Sequence, residues 1–258
     1  MSGSPAEPGA ATPAVDPAWY ATAFDTLYPL VYAHRSVESA RVEADFAMSQ
    51  LRLPHCGKIL DLCCGGGRHL LHLSSYCNEL VGLDYSADLL RIADDHLPEH
   101  VLLVRGDMRA LPFVDAFDAV VNFFTSFGYF QTDAENQRVL TGMAQALRPG
   151  GRFFMDYLNP LHVMATLVPR SEKTHGERRI EEERWIESSG PRVNKRTRVY
   201  RGESLESESM ESVRLYSLDE MRAALSGAGL DIENVHGDYA GAPYTESSPR
   251  MIFVGQRS

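Results

Sequence analysis

The chain has 258 residues, 44% of them hydrophobic, enough to bury the core of one α/β domain carrying an elaboration. Its formal net charge of −10 would repel a phosphate backbone and no lysine-rich run offsets it, which argues against a nucleic-acid partner. No apolar run reaches the roughly 18 residues that span a bilayer, and the N-terminus carries neither a basic segment nor an apolar signal core, so the expectation is a soluble cytoplasmic protein without a membrane partner.

Residues 1–17 are rich in Ala, Pro, Gly and Ser and lack hydrophobic periodicity, which predicts a disordered tail ahead of one domain over 18–258. From Trp19 the chain turns aromatic, and its spacing predicts two helices interrupted at Pro29, the second running to about Leu51. Tyr20, Tyr32, His34 and Arg35 carry more polar tips than core packing requires, which leaves a helical lid over a ligand site as the alternative to plain core.

The stretch from Lys58 to His69 organises the rest of the chain. An apolar run ends in Asp61, passes through Gly65, Gly66 and Gly67 and opens a leucine-rich helix, predicting strand, tight turn and helix N-terminus. Such a turn lets the backbone lie against a nucleotide-like ligand. A dinucleotide fingerprint starting at Gly65 requires a third glycine at position 70, which is Leu70, and that weakens a nucleotide-dependent oxidoreductase reading. Cys56, Cys63, Cys64 and Cys77 lie near His55, His69 and His72, but without a Cys-x-x-Cys pair they are expected to be reduced thiols, and no metal site is expected.

Further strands are predicted at Leu80 to Asp84, Val101 to Val104, Phe117 to Asn122 and Arg152 to Tyr157. Ser86 and the Thr132-x-x-Glu135 capping box start the intervening helices, and Arg148-Pro-Gly-Gly151 makes the turn before the fifth strand. The strand ends carry Asp84, Asp107 and Asn122, where parallel α/β sheets open into a ligand crevice. Residues 171–216 contain β-branched and aromatic segments near Ile180, Val193 and Met210, predicting a small antiparallel β insertion. Ser217-x-x-Glu220 caps a last helix, and two more strands are predicted at Leu230 and Arg250. The fold class is α/β: a Rossmann-like, doubly wound, mostly parallel seven-stranded sheet with an N-terminal helical lid and the β insertion.

The spacing of Asp61, Cys63, Gly65 and Gly67 resembles motif I of the class I S-adenosylmethionine-dependent methyltransferases, with Cys63 in place of the first glycine. The bacterial small-molecule members with a β insertion after strand five are similar in layout. The resemblance implies S-adenosyl-L-methionine as cofactor, with Asp84 and its neighbour Tyr85 at the ribose, Asp107 and Met108 at the adenine, and Asn122 facing the transferred methyl. It also implies in-line methyl transfer to an N, O or C nucleophile of a small-molecule acceptor. The Asn/Asp-Pro-Pro-aromatic signature of base methylation is absent after Asn122. Arg35 is a candidate clamp for the methionine carboxylate or a surface ion-pair partner, and Arg68 competes for the same carboxylate. His34, Tyr129, Tyr157 and His162 are candidate bases, with no choice among them, since positioning alone drives much methyl-transfer chemistry. A non-catalytic adenosyl-ligand binding module is the alternative function.

Overall fold

The computed structural model describes residues 13–33, 35–53, 57–187 and 190–258. Of the tail expected over 1–17, residues 1–12 lie outside the described residues, as do His34, His55 and Cys56.

The N-terminal segment departs from the two-helix expectation. It forms a single 3-10 turn at Trp19–Ala21 and a short helix α1 (Tyr28–Val31), with Pro29 inside the first turn, where its missing N–H removes no helical bond. The long helix α2 (Val37–Leu51) begins at Ser36, whose side chain accepts from Ser39 N–H, and ends at Arg52 in the left-handed region. Aromatic spacing was a poor guide here because the rings turn toward the rest of the protein instead of sharing one helical stripe.

The alternation after Lys58 keeps the expected order. Strand β1 (Ile59–Leu62) leads to α3 (Arg68–Leu73), β2 (Leu80–Asp84) to α4 (Ala87–Asp94), and β3 (Val101–Arg105) to β4 (Phe117–Asn122). Helix α5 (Asp133–Ala146) starts on a complete Thr132–Glu135 capping box and runs into β5 (Leu147–Leu158). The Arg148–Gly151 turn is taken up within that strand as an irregularity: β5 pairs with Phe117 at Leu147 and resumes with Ala119 at Arg152, and Gly150 adopts φ +72°.

Next come α6 (Pro160–Thr166) and four strands, β6 (Arg170–His175), β7 (Arg178–Ile186), β8 (Arg192–Arg201) and β9 (Ser204–Arg214). Helix α7 (Leu218–Gly227), on a second capping box, precedes β10 (Leu230–His236) and β11 (Arg250–Arg257). The large sheet has the order β10-β11-β5-β4-β1-β2-β3, parallel except for β11. The chain winds outward from β1 in both directions, so the crevice opens at the carboxyl ends of β1, β2 and β4. Leu60 and Leu62 of β1 pack with Leu140, Met143 and Leu225 on the α5–α7 face, and Ile59 packs with Ala47, Leu70 and Leu73 on the α2–α3 face. Leu70, the residue that breaks the dinucleotide spacing, is fully buried against Gly82, where a Cβ would meet its Cδ1 at 2.5 Å. The small residue needed for close helix–strand packing thus sits on the strand.

The insertion is the antiparallel sheet β6-β7-β8-β9, one strand more than the apolar segments indicated. Strand β6 reads Arg-Ser-Glu-Lys-Thr-His and is half-solvated at the sheet edge, so it lacks the β-branched signal of its neighbours. Two-residue hairpin loops carry Gly176 and Gly202, both at φ +58°. Ile180 and Val199 of this sheet are buried against Val31, with Leu27, Leu30 and Tyr32 packed around them. The N-terminal segment therefore rests on the insertion as well as on the crevice.

Candidate active site

A cavity of about 250 Å³ lies between the strand ends and the N-terminal segment. Its floor is the glycine loop. Cys63, Gly65 and Gly67 all have positive φ (65°, 54° and 79°), so the cysteine holds the glycine-like conformation that the motif requires. The N–H groups of Cys63 and Cys64 donate to Leu83 O at 2.7 and 3.1 Å, locking the loop to the end of β2. Asp84 continues the lock: its Oδ2 accepts from Gly65 N–H and its Oδ1 from Ser86 N–H, both at 2.8 Å. Burial pushes the Asp84 carboxyl up while the bonds from Ser86 and Gly65 pull it back.

Of the residues singled out in the sequence, Arg35, Gly65, Arg68, Asp84, Tyr85, Asp107, Met108 and Tyr129 line the cavity. Asp107 takes Arg109 across both oxygens, at 2.7 Å from one guanidinium nitrogen; burial raises its pKa, but these bonds outweigh it and leave the carboxyl below its ordinary value. Arg68 pairs with Glu43 at 2.8 Å. Arg35 corrects the surface-pair alternative: it makes no ion pair among the described residues, lies 3.9 Å from the Tyr32 ring centroid and 4.6 Å from that of Phe124, and buries a partnerless Nε. One terminal nitrogen donates to the Tyr28 hydroxyl at 3.3 Å.

Other singled-out residues lie off the wall. Asp61 is 1% exposed, with Oδ2 buried and unpartnered. Gly67 caps α3, and a Cβ there would meet Leu97 Cδ1 at 2.8 Å, a packing requirement. Asn122 is buried and donates to Leu62 O at 2.8 Å, tying β4 to β1 beneath the cavity. Tyr157 is fully buried, donating its hydroxyl to Arg214 O and accepting from Tyr216 N–H, and His162 sits on α6 away from the cavity wall. Asp61, Gly67 and Asn122, expected at the cofactor, thus lie behind the wall instead of on it, and of the candidate bases Tyr157 is occupied by its bonds to the insertion's exit and His162 is absent from the wall. His34 lies outside the described residues.

Cys63, read as part of motif I, also lines the cavity, whereas sequence reasoning missed Phe24, Tyr28 and Phe130 as wall residues. Phe24 and Tyr28, one helical turn apart in number, carried a usable signal, and Phe124, just past the end of β4, reaches the wall through a left-handed backbone at φ 54°. Burial pushes Tyr28 up to about 12 and holds Tyr129 and Cys63 well above their ordinary values, so these groups keep their protons at neutral pH. Among the described residues no group of three or more His, Cys, Asp or Glu is placed to hold a metal ion, and Cys63 and Cys64 are free thiols. No helix among them is long and apolar enough to cross a membrane.

Asp61 has a measurable consequence. Burial pushes its carboxyl up to about 7, far above the ordinary carboxylate range. Between about pH 4 and 7 the folded chain holds a proton that the unfolded chain has released, so the stability this proton confers falls as pH rises through that window. Urea denaturation should show wild type losing stability relative to Asp61→Asn between pH 5 and 7.5; parallel pH profiles would rule out a protonated Asp61.

A strand–glycine loop–helix, an acid closing the loop at the end of β2 and a second acid after β3 define a Rossmann-like site for an adenosyl ligand. A family model described as a methyltransferase domain matches residues 59–151. Over 232 residues the chain is 30% identical to the dTDP-3-amino-3,6-dideoxy-alpha-D-glucopyranose N,N-dimethyltransferase of Streptomyces fradiae, covering 83% of this chain and 86% of that one. It is 29% identical over 246 residues to the dTDP-3-amino-3,4,6-trideoxy-alpha-D-glucopyranose N,N-dimethyltransferase of Streptomyces venezuelae, covering 89% and 95%. The SAM-bound structure of CalS10, an amino pentose methyltransferase from Micromonospora echinaspora, shares the fold with a TM-score of 0.68 at 24% identity, covering 90% of this chain and 97% of that one. The chain belongs to the class I S-adenosylmethionine-dependent methyltransferases and is an enzyme using that cofactor. The oxidoreductase and the non-catalytic module give way to this membership.

Proposed function

We propose that the enzyme transfers methyl from S-adenosylmethionine to an amino nitrogen of a small amino-sugar acceptor. The observation that carries this reading is the likeness to sugar N,N-dimethyltransferases along most of the chain, insertion included. In this reading 18–258 is one methyltransferase domain and 171–216 its substrate-side insertion.

The wall residues fit the cofactor. Asp84 retains acceptor capacity for ribose hydroxyls and Asp107 for the adenine amine, while Tyr85, Met108, Leu89 and Ile92 offer apolar surface to the ring. Gly65 places backbone beside it; Asp61, Gly67 and Asn122 shape the loop from behind. Arg35, whose Nε is buried without a partner and whose guanidinium meets no carboxylate among the described residues, takes the methionine carboxylate, and Arg68, already paired with Glu43, supports it. Bound cofactor supplies a methyl group on a cationic sulfur. The chain's task is then to align the acceptor and exclude water, with Tyr28, Tyr32, Phe24 and Tyr129 presenting ring faces that favour a nearby cation. Tyr28 and Tyr129 keep their protons and so do not serve as bases; the acceptor amine attacks as its free base, and the proton of the methylated ammonium leaves to solvent.

The test is methyl transfer from labelled cofactor to a panel of dTDP-amino sugars and their hydroxyl counterparts, read by mass spectrometry. Methylation confined to oxygen or carbon would overturn the N assignment. Arg35→Met, which keeps the stem and loses the fork, should weaken S-adenosylhomocysteine binding by about 1–2 kcal/mol and reduce ligand protection of the N-terminal segment from proteolysis. Wild-type affinity and protection would shift the carboxylate to Arg68 or backbone amides.

A further inference from the structure

Arg192, on β8 of the insertion, is 7% exposed, and its side-chain hydrogen bonds among the described residues go to neutral oxygens. Its guanidinium is satisfied by neutral groups alone. Nε donates to Ser212 Oγ at 2.8 Å, one terminal nitrogen to Phe130 O at 3.0 Å, and the other to Tyr129 O at 3.1 Å, Ser212 O at 3.0 Å and Gly128 O at 3.3 Å. Three successive carbonyls of one loop thus converge on a single planar fork. Burying a cation with no carboxylate in hydrogen-bond reach is costly, and here the convergent bonds from neutral oxygens offset that cost.

The loop it holds is the seat of the N-terminal segment. Gly128 has φ +83°, and its carbonyl also accepts from Arg214 N–H at 2.8 Å, so two neighbouring strands of the insertion grip the same turn. Tyr129 and Phe130 project from that turn into the cavity wall. Trp19 packs edge-on to Tyr129 at 4.9 Å, Phe24 stacks on Tyr129 at 5.9 Å, and Tyr20 meets Phe130 at 5.2 Å.

We propose that Arg192 is a positioning residue: by holding the carbonyls of Gly128, Tyr129 and Phe130 it fixes the two rings on which the N-terminal segment closes over the cofactor. The inference rests on the proposed cofactor site. It makes the insertion an anchor of the lid as well as a neighbour of the acceptor. A lysine would keep the charge but reach fewer of these carbonyls, because an ammonium lacks the planar fork.

The experiment measures Trp19 emission in a Trp185→Phe background together with S-adenosylhomocysteine binding by calorimetry. Arg192→Lys should red-shift Trp19 emission in the ligand-free protein and raise Kd about tenfold, as expected for lost charge-assisted hydrogen bonds. In a Tyr129→Leu/Phe130→Leu background, adding Arg192→Lys should change Kd no further, since the rings through which it acts are gone. An unshifted spectrum with wild-type Kd, or effects that add across the cycle, would overturn the proposal. If Arg192→Lys does not fold, Ser212→Ala removes the Nε acceptor and must move both readouts in the same direction. Failure of the wild-type protein to bind S-adenosylhomocysteine would count against the cofactor site, and the ligand-free Trp19 spectra would then decide the role of Arg192.

Discussion

Asp84→Ala is expected to weaken S-adenosylhomocysteine binding by about 1.5–3 kcal/mol, roughly 10- to 150-fold. Two losses combine. The carboxylate no longer offers lone pairs to the ribose hydroxyls, and the N–H groups of Gly65 and Ser86, which it holds at 2.8 Å, lose their acceptor, so the glycine loop loosens beside the ligand. Asp84→Asn separates the two, because the amide retains one acceptor and turns a donor toward the other N–H. It should fall between wild type and Asp84→Ala. Calorimetry on variants shown by circular dichroism to be folded checks the order, and wild-type affinity in Asp84→Ala would remove this residue from the site.

Replacing residues 171–213 with a short Gly/Ser linker should abolish turnover and also lower S-adenosylhomocysteine affinity by about 100-fold, or about 2.7 kcal/mol. The residues alone suggest that cofactor binding would survive such a change. The structure argues otherwise: Val31 packs on Ile180 and Val199, Tyr32 donates to Glu211 at 2.8 and 2.9 Å, and Lys173 donates to Val31 O. Without these contacts the N-terminal segment must be ordered at the expense of binding energy. Arg214, Leu215 and Tyr216 are kept because Tyr157 and the large core hold them. A folded, shortened protein with wild-type affinity but no turnover would restrict the insertion to the acceptor.

Much of the architecture was legible in the residues because its determinants are local. The run from Lys58 to His69, the Thr132 and Ser217 capping boxes and the alternation of apolar strands with helices depend on neighbours within a few positions, and each stands where spacing placed it. Asp84 and Asp107 were legible for the same reason, as polar residues ending apolar strands. What only the tertiary structure decided was which way side chains face and what distant segments supply. Asp61 and Asn122 end up behind the cavity wall, Asp61 with one oxygen buried and unpartnered and Asn122 donating to Leu62 O, a bond that exists only because folding lays β4 beside β1. Arg35 could be read as surface or clamp until Phe124, brought up by a strained turn 89 residues later, covered it. Arg192 carried no signal at all: a lone arginine in a charged strand acquires its role only when folding carries three carbonyls from residues 128–130 onto its fork, a convergence no periodicity encodes.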